Sequence, residues 1–205
     1  MPRPSDEHPA LRDVADQFAL PGPVTAWEPM AGGLIHGTWR ITCDGSRGPE
    51  RFVLQRINAQ VFPEPNQVME NVLAVTDHLR AKLPQQPTLE FVPTTHGSRE
   101  HLLHQEDGSW WRLCRFLESS RSLTVATSPA QLQAAASGFG EFVRLLADFS
   151  PETLHAALPD FHNTEVRYQR LRHAVETAGN RACSVADELD TIEANRHLVS
   201  ALPAD

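Results

Sequence analysis

The sequence changes texture once, and this change constrains the fold more than any other feature. Before residue 118, short apolar runs alternate with clusters of Gly, Pro, Asn and Asp, as in short β-strands joined by turns. Residues 118–127 are polar and rich in serine, and from Ser128 onward apolar residues recur at helical spacing. We therefore predict an α+β chain in which residues 1–117 form one part, residues 118–127 a linker and residues 128–205 a helical part.

The first part is predicted to contain a sheet of about five antiparallel strands with one inserted helix. Apolar residues at helical spacing predict a short N-terminal helix that ends before Pro21, and a three-stranded meander is predicted over residues 24–57. Residues 66–83, which follow Pro65, have the apolar repeat of a single helix. Further strands are predicted at residues 90–94, 100–103 and 110–116.

The helical part opens with a recognisable start signal. Ser128, Pro129 and Gln131 combine an N-cap serine, a proline at the first helical position and a glutamine three residues after the cap. The helix that they begin is predicted to present one apolar face, formed by Leu132, Ala136, Phe139, Val143 and Leu146. Two more helices are predicted over residues 164–178 and 184–202.

Composition excludes several classes of protein. The formal net charge is -8, from 26 acidic and 18 basic residues, which argues against a nucleic-acid-binding surface. Cys43, Cys114 and Cys183 are far apart and are not grouped with histidines, so neither a disulfide framework nor a metal site is indicated. No stretch approaches the roughly 20 apolar residues that a membrane span requires. We expect a cytoplasmic chain.

Residues 32–39 read Gly-Gly-Leu-Ile-His-Gly-Thr-Trp and form a glycine-bearing turn between the first two predicted strands. Without side chains in the way, backbone N–H groups of such a turn can approach phosphate oxygens. The nucleotide-binding candidates here are Gly32, Gly33, His36, Gly37 and Thr38. A plain hairpin is the alternative interpretation.

The next strand carries Phe-Val-Leu-Gln-Arg at residues 52–56, where protein kinases have Val-Ala-x-Lys. Alternation along a strand points Leu54 and Arg56 the same way, so Leu54 is a candidate for the base site and Arg56 for a phosphate. Arginine departs from the lysine of the kinase pattern, because it offers a planar fork of donors where lysine offers a compact charge. An exposed arginine at the strand edge is the alternative interpretation.

Glu70 lies on the predicted helix after that strand, where a kinase-like small lobe has a glutamate that orients the basic residue. On a helical wheel Glu70 falls about 200° from Val68, away from the main apolar face, so a solvated carboxylate is equally compatible with the pattern. The order of strands, glycine turn, helix, strands and linker is that of a protein-kinase-like small lobe followed by the start of a helical lobe.

Several segments resemble the aminoglycoside phosphotransferase superfamily, most closely the branch that contains N-acetylhexosamine 1-kinase. They are residues 33–38, 53–58, 61–62, 68–71, 75–79, 111–117 and 159–164. The resemblance implies ATP-dependent phosphorylation of a small molecule, with a sugar as substrate and Mg²⁺ as the metal of the full-length protein. It also implies that Arg115, Phe116 and Leu117 belong to the hinge that holds adenine, and that Arg56 pairs with Glu70.

The same resemblance implies a catalytic His-x-Asp loop and, further along the chain, an Asn and an Asp that hold magnesium. None of the ten histidines is followed two positions later by Asp. Asp190-Thr191 is a superficial match to the metal-binding pair, but its neighbours are spaced as in a helix. We therefore expect no catalytic residue and no metal ligand here, and we expect a truncated chain that is inactive alone and self-associates through exposed helical faces.

A function of another class stays open. The alternative is a catalytically silent module that binds nucleotide or another protein, and an unrelated α+β binding domain is a third possibility. Only the resemblance identifies a sugar as the small molecule that accepts the phosphate. Relatives in the superfamily act instead on aminoglycosides, choline and homoserine.

Overall fold

The computed structural model describes residues 8–97, 100–120 and 122–201. The chain divides into two compact units, the first ending at Ala157 and the second beginning at Leu158. The linker predicted over residues 118–127 lies within the first unit, and a lobe boundary there stays a prediction. No helix of the described residues has both the length and the apolar character for crossing a bilayer.

The first unit contains a five-stranded antiparallel sheet, which confirms the predicted α+β class. Its strands are β1 Val24–Pro29, β2 Gly37–Gly45, β3 Gly48–Ile57, β4 Leu103–His104 and β5 Trp110–Arg115. They lie in the order β1-β2-β3-β5-β4, so the predicted meander of the first three strands is confirmed. A tight turn joins β2 to β3, where Gly48 has a φ of +118° that favours glycine.

The prediction of a continuous strand over residues 90–94 is wrong in detail. This segment forms only isolated bridges, one of which pairs Phe91 with Cys114, and the Val92 N–H donates to the Leu113 carbonyl at 2.9 Å. The strand predicted at residues 100–103 is reduced to β4, which pairs with Trp110 and Trp111. The edge of β5 that faces away from β3 is only six residues long. The segment 90–94 and strand β4 both pair along this edge, so neither forms a long ladder.

One face of the sheet is covered by the N-terminal helix α1, His8–Ala15. Alternation along the strands places Ile41, Phe52, Leu54 and Leu113 on this face, and all four are buried. They form one apolar cluster with α1 and the turn after it, including Leu11, Val14, Ala15 and Phe18. We call this the helix-covered face, and it holds the main core of the unit.

Helix α2, Pro65–Lys82, begins with a proline in its first turn, as expected. Its last turn contacts the end of α3, Pro129–Leu145. Lys82 Nζ donates to the Leu145 carbonyl at 2.6 Å, and His78 Nε2 lies 3.1 Å from the same oxygen. A cation at this position compensates the carbonyl groups left unpaired at the C-terminal end of α3.

The predicted start of α3 is confirmed, because the Gln131 N–H donates to Ser128 Oγ at 3.4 Å. Three residues of the predicted apolar face are strongly exposed: Leu132 at 60%, Phe139 at 75% and Val143 at 68%. Within the described residues, this apolar stripe is therefore largely uncovered. A one-turn 3₁₀ helix, Pro151–Thr153, follows in the same unit.

The second unit is helical. Helix α4, Thr164–Thr177, matches the prediction and is capped by Asn163, whose Oδ1 accepts from the Val166 N–H at 3.1 Å. The single helix predicted over residues 184–202 is instead broken into α5, Ala186–Ala194, with 3₁₀ segments on either side, Gly179–Val185 and Arg196–Leu198. The backbone leaves helical geometry at Val185, where φ is -129°, and the predicted end at Leu202 lies outside the described residues.

Candidate functional site

The sheet face opposite α1 is polar and only partly buried. Side chains between the core positions of β2, β3 and β5 point to it, namely Thr38, Arg40, Val53, Gln55, Arg112 and Cys114. Each of them keeps part of its surface exposed, whereas the core positions of the helix-covered face are almost fully enclosed. We call this the open face.

A chain of hydrogen bonds crosses the open face from β5 to the glycine turn. Arg112 Nε and Nη2 donate to Gln55 Oε1 at 2.9 and 2.6 Å. Gln55 Nε2 donates to Thr38 Oγ1 at 3.2 Å, and Thr38 Oγ1 donates to the His36 carbonyl at 3.4 Å. The cross-strand register sets this path, because Gln55 pairs with Arg112 on one side and with Thr38 on the other.

Arg112 is a partly enclosed cation. Burial lowers the pKa of its guanidinium, and its Nη1 is closed off from solvent with no hydrogen-bond partner among the described residues. The guanidinium lies over the Phe91 ring, 5.6 Å from its centroid. The pKa of His36 is lowered first by its own burial and then by the charge of Arg112, so this charge is felt at the glycine turn.

The glycine turn is anchored to the chain that follows β3. His36 Nδ1 accepts from the Asn58 N–H at 3.1 Å, and the His36 ring lies 5.4 Å from the Phe62 ring. Gly32 has a φ of +103°, which favours glycine. The predicted turn residues therefore form one loop, and Leu34 at its tip is fully exposed.

A cleft of about 510 Å³ lies between this turn, the end of β3 and the β4–β5 connection. Its lining includes Gly37, Trp39, Arg56, Asn58, Asp107 and Ser109. The structure thus brings together Gly37 and Arg56, two of the predicted phosphate-binding residues. The Arg56 guanidinium lies 5.8 Å from the centroid of the Trp111 ring, on the side of the sheet where α1 packs.

The expected placement of Leu54 in a base site is not met, because Leu54 has 0% exposure and belongs to the core under α1. Alternation correctly put Leu54 and Arg56 on one face, but that face is the helix-covered one. Val53 is the neighbouring apolar side chain that reaches the open face. The nucleotide-binding roles of the predicted residues stay predictions.

The predicted ion pair of Arg56 with Glu70 is also not formed. Glu70 is exposed on α2, and its carboxylate lies 2.6 Å from His155 Nε2. The neighbouring Asn71 fixes the backbone of His155, since its side chain donates to the His155 carbonyl and accepts from the His155 N–H, both at 2.8 Å. Glu70 therefore serves the contact between α2 and the segment after α3.

The predicted hinge residues lie at the end of β5. Arg115 makes ion pairs with Glu50 at 2.7 Å and with Glu90 at 3.3 Å, so its guanidinium is engaged in contacts within the fold. The Phe116 N–H donates to the Arg51 carbonyl at 3.0 Å, and the Leu117 carbonyl accepts from Ser120 Oγ at 2.5 Å. The Phe116 ring, with Arg40 and Arg51 over it, adds an aromatic surface at one end of the open face.

Asp190 and Thr191, the superficial match to a metal-binding pair, do not lie on a strand. Both residues lie within α5, and Thr191 Oγ1 donates to the Asp187 carbonyl at 2.9 Å, as helical threonines often do. In the part of the chain that the structure describes, no three His, Cys, Asp or Glu side chains are grouped as metal ligands.

A known protein family matches most of this chain. The family model APH, described as the phosphotransferase enzyme family, matches residues 26–205. The chain belongs to this phosphotransferase family. The match begins in β1 and includes the glycine turn, the open face of the sheet and helices α2 to α5. The predicted superfamily is confirmed, as is a kinase-like small lobe followed by the start of a helical lobe. Membership implies a nucleotide and a small molecule as substrates.

Gln55 and Arg112 of the open face were not among the residues predicted from the sequence. A signal was present, because Arg112 is a charged residue between Trp111 and Leu113 in a strand whose neighbours are apolar. An arginine at such a position either reaches solvent or meets a partner on the opposite face from the core. The resemblance implied Arg56 instead, as the counterpart of the kinase lysine.

Proposed function

We propose that this chain is the nucleotide-binding part of an ATP-dependent phosphotransferase that acts on a small molecule. The match of the phosphotransferase family to residues 26–205 carries the proposal. The open face supports it, because a polar, partly exposed sheet face with an aromatic ring at one end and a glycine turn at the other suits a nucleotide.

We place the phosphates under the turn formed by Gly32, Gly33, His36, Gly37 and Thr38. The backbone of Phe116 and Leu117 would hold the adenine, with Val53 in the place proposed for Leu54. Arg56 is the cation that the resemblance suggests for the phosphates, and it lines the cleft beside Gly37. A cationic group near the turn fits the negative charge of a triphosphate.

Magnesium is assigned to no residue of this chain. Within the described residues no three potential ligand side chains are grouped together, and the sequence contains no His-x-Asp motif. We propose that these 205 residues bind nucleotide without transferring phosphate. Turnover of ATP by the purified chain in the presence of Mg²⁺ and a sugar would contradict this part of the proposal.

The acceptor is proposed to be a sugar of the N-acetylhexosamine class, on the resemblance of residues such as 53–58 and 159–164. Melting temperature in the presence of N-acetylglucosamine, choline or an aminoglycoside tests this class. We expect an added sugar to give the largest increase in melting temperature. A larger increase with choline or the aminoglycoside would contradict the sugar assignment.

Nucleotide binding itself is tested by calorimetric titration of the purified chain with ATP, ADP and adenosine. We expect saturable binding of all three, with dissociation constants below about 1 mM, the upper range for specific small ligands. GTP is the matched control ligand, because it keeps the phosphates and changes the base. No heat with ATP, ADP or adenosine at millimolar concentration would contradict the proposal.

A second candidate function rests on the exposed apolar stripe of α3. Leu132, Phe139 and Val143 are well exposed on one helix face, as in surfaces that bind protein. A catalytically silent interaction module would use this stripe to self-associate. Light scattering tests it with a Phe139→Ser variant, which we expect to be monomeric where the natural chain is dimeric. A natural chain that is monomeric at high concentration would contradict it.

A further inference from the structure

Arg112 on β5 carries a charge that no carboxylate of the described residues neutralises. Burial of its guanidinium is the main influence on its pKa, and no carboxylate contributes among the described residues. Its Nη1 is closed off from solvent and has no hydrogen-bond partner in the part of the chain that the structure describes. Enclosing a cation without a counter-charge costs free energy, so an arginine in this situation points to an anion that joins it from outside the chain.

The donors of Arg112 are directed at a neutral oxygen. Both Nε and Nη2 donate to Gln55 Oε1, at 2.9 and 2.6 Å. Two parallel donors of a guanidinium match the geometry of a phosphate, and an ionised oxygen forms the stronger hydrogen bonds. Gln55 is only partly buried, so its amide can turn aside and leave these donors to a phosphate.

The guanidinium is connected to the glycine turn. Gln55 Nε2 donates to Thr38 Oγ1, and Thr38 Oγ1 donates to the His36 carbonyl, which belongs to the turn. The charge of Arg112 also contributes to the lowered pKa of His36. A phosphate held under the turn would thus lie in the field of Arg112.

Arg56 has a different environment. It is exposed, its guanidinium lies over the Trp111 ring, and the nearby Asp107 feels its charge. An exposed cation with a carboxylate nearby gains less from a phosphate than an enclosed cation without one.

We propose that Arg112, positioned by Gln55, binds a phosphate oxygen of the nucleotide, the role that the resemblance gives to Arg56. This inference rests on the proposed nucleotide-binding function and deepens it. The cation of the site then comes from β5, and the neutral Gln55 of β3 holds it in place until the nucleotide binds.

Calorimetric titration of Arg112→Met and Arg56→Gln with ADP and with adenosine tests the assignment. For Arg112→Met we expect the affinity for ADP to fall about 10- to 100-fold, the usual cost of losing hydrogen bonds to a charged group. Adenosine affinity should change by about twofold at most, because adenosine has no phosphate. Arg56→Gln should weaken ADP binding by about threefold at most, as expected for an exposed cation.

Arg144→Gln is the matched control, because Arg144 is exposed on α3 and pairs with Glu141 at 2.6 Å. It should bind both ligands as the natural chain does. A large loss of ADP affinity in Arg56→Gln with little loss in Arg112→Met would overturn the assignment, as would equal losses of ADP and adenosine affinity in Arg112→Met. Equal affinities of the natural chain for ADP and adenosine would overturn it while leaving the proposed function intact. Binding of neither ligand would contradict both proposals.

Gln55→Glu provides a second test that keeps Arg112 in place. The new carboxylate would neutralise the guanidinium and occupy the donors that we assign to the phosphate. We expect a higher melting temperature and ADP affinity about tenfold lower, with adenosine affinity unchanged. Unchanged ADP affinity in a folded Gln55→Glu variant would overturn the assignment.

Discussion

The two faces of the sheet are built from the same strands, yet they carry opposite chemistry. On the helix-covered face, Ile41, Phe52, Leu54 and Leu113 are nearly or completely enclosed and form one apolar cluster with α1. On the open face, Thr38, Gln55 and Arg112 form a polar chain that keeps contact with solvent. We propose that the first face supplies stability and the second binds the ligand, because neighbouring residues of one strand point to opposite faces.

The largest difference between the faces should appear in the stability of alanine variants of β3. Leu54→Ala removes a side chain with 0% exposure, and we expect it to lower the free energy of unfolding by about 2–5 kcal/mol. Val53→Ala, on the open face, is the matched variant and should cost about 1 kcal/mol or less, because Val53 is only partly buried. Urea denaturation measures both. Equal losses would contradict the assignment of the core to one face.

Arg112→Met should separate stability from binding. The substitution removes hydrogen bonds to Gln55, but it also removes an enclosed charge that has no acid partner among the described residues. Replacing such a charge by an apolar side chain is often neutral or stabilising, so we expect a change of about 1 kcal/mol or less in the free energy of unfolding. A loss as large as that of Leu54→Ala would mean that Arg112 is a structural residue.

The reactivity of the three cysteines should also differ between the two faces, although this difference is smaller than the difference in stability. Cys43 is buried on the helix-covered face, Cys114 is partly buried on the open face, and Cys183 is exposed in the second unit. Burial raises the pKa of Cys114 to about 11, so only about 0.1% of it is thiolate at pH 8.

Alkylation by iodoacetamide at pH 8, followed by mass spectrometry of peptides, should therefore modify Cys183 first. The rate at Cys114 should rise about tenfold for each pH unit until the pH approaches its pKa, because the thiolate is the reacting form. Cys43 should react most slowly, since its side chain has 0% exposure and its pKa is raised by burial. Faster reaction of Cys43 than of Cys114 would contradict the difference between the faces.

Several elements of the fold followed from local patterns in the sequence, although the strand predicted over residues 90–94 and the single helix predicted over residues 184–202 did not. The glycine turn, the meander, α2, and the Ser128 and Pro129 signal each depend on neighbours in the chain, and the structure has them as predicted. The face that carries the site did not follow. Alternation tells which side chains share a face, but which face α1 covers depends on tertiary packing, and for this reason Leu54 was assigned to the wrong side.

The site residues show the same limit. The resemblance implied an ion pair between Arg56 and Glu70, but Glu70 meets His155, which is distant in sequence. Gln55 and Arg112 are 57 positions apart and meet only through the register of β3 and β5. A single sequence does not contain that register, so the hydrogen-bonded chain of the open face could not be predicted from it.

The most direct test of the account is the side-chain Nε–H resonance of Arg112 in ¹⁵N NMR spectra of the chain, assigned by its loss in Arg112→Met. We predict that added ADP shifts this resonance, that adenosine leaves it in place, and that the corresponding resonance of Arg56 hardly moves. A shift of the Arg56 resonance with ADP while that of Arg112 stays unchanged would contradict the claim that the open face binds the phosphates.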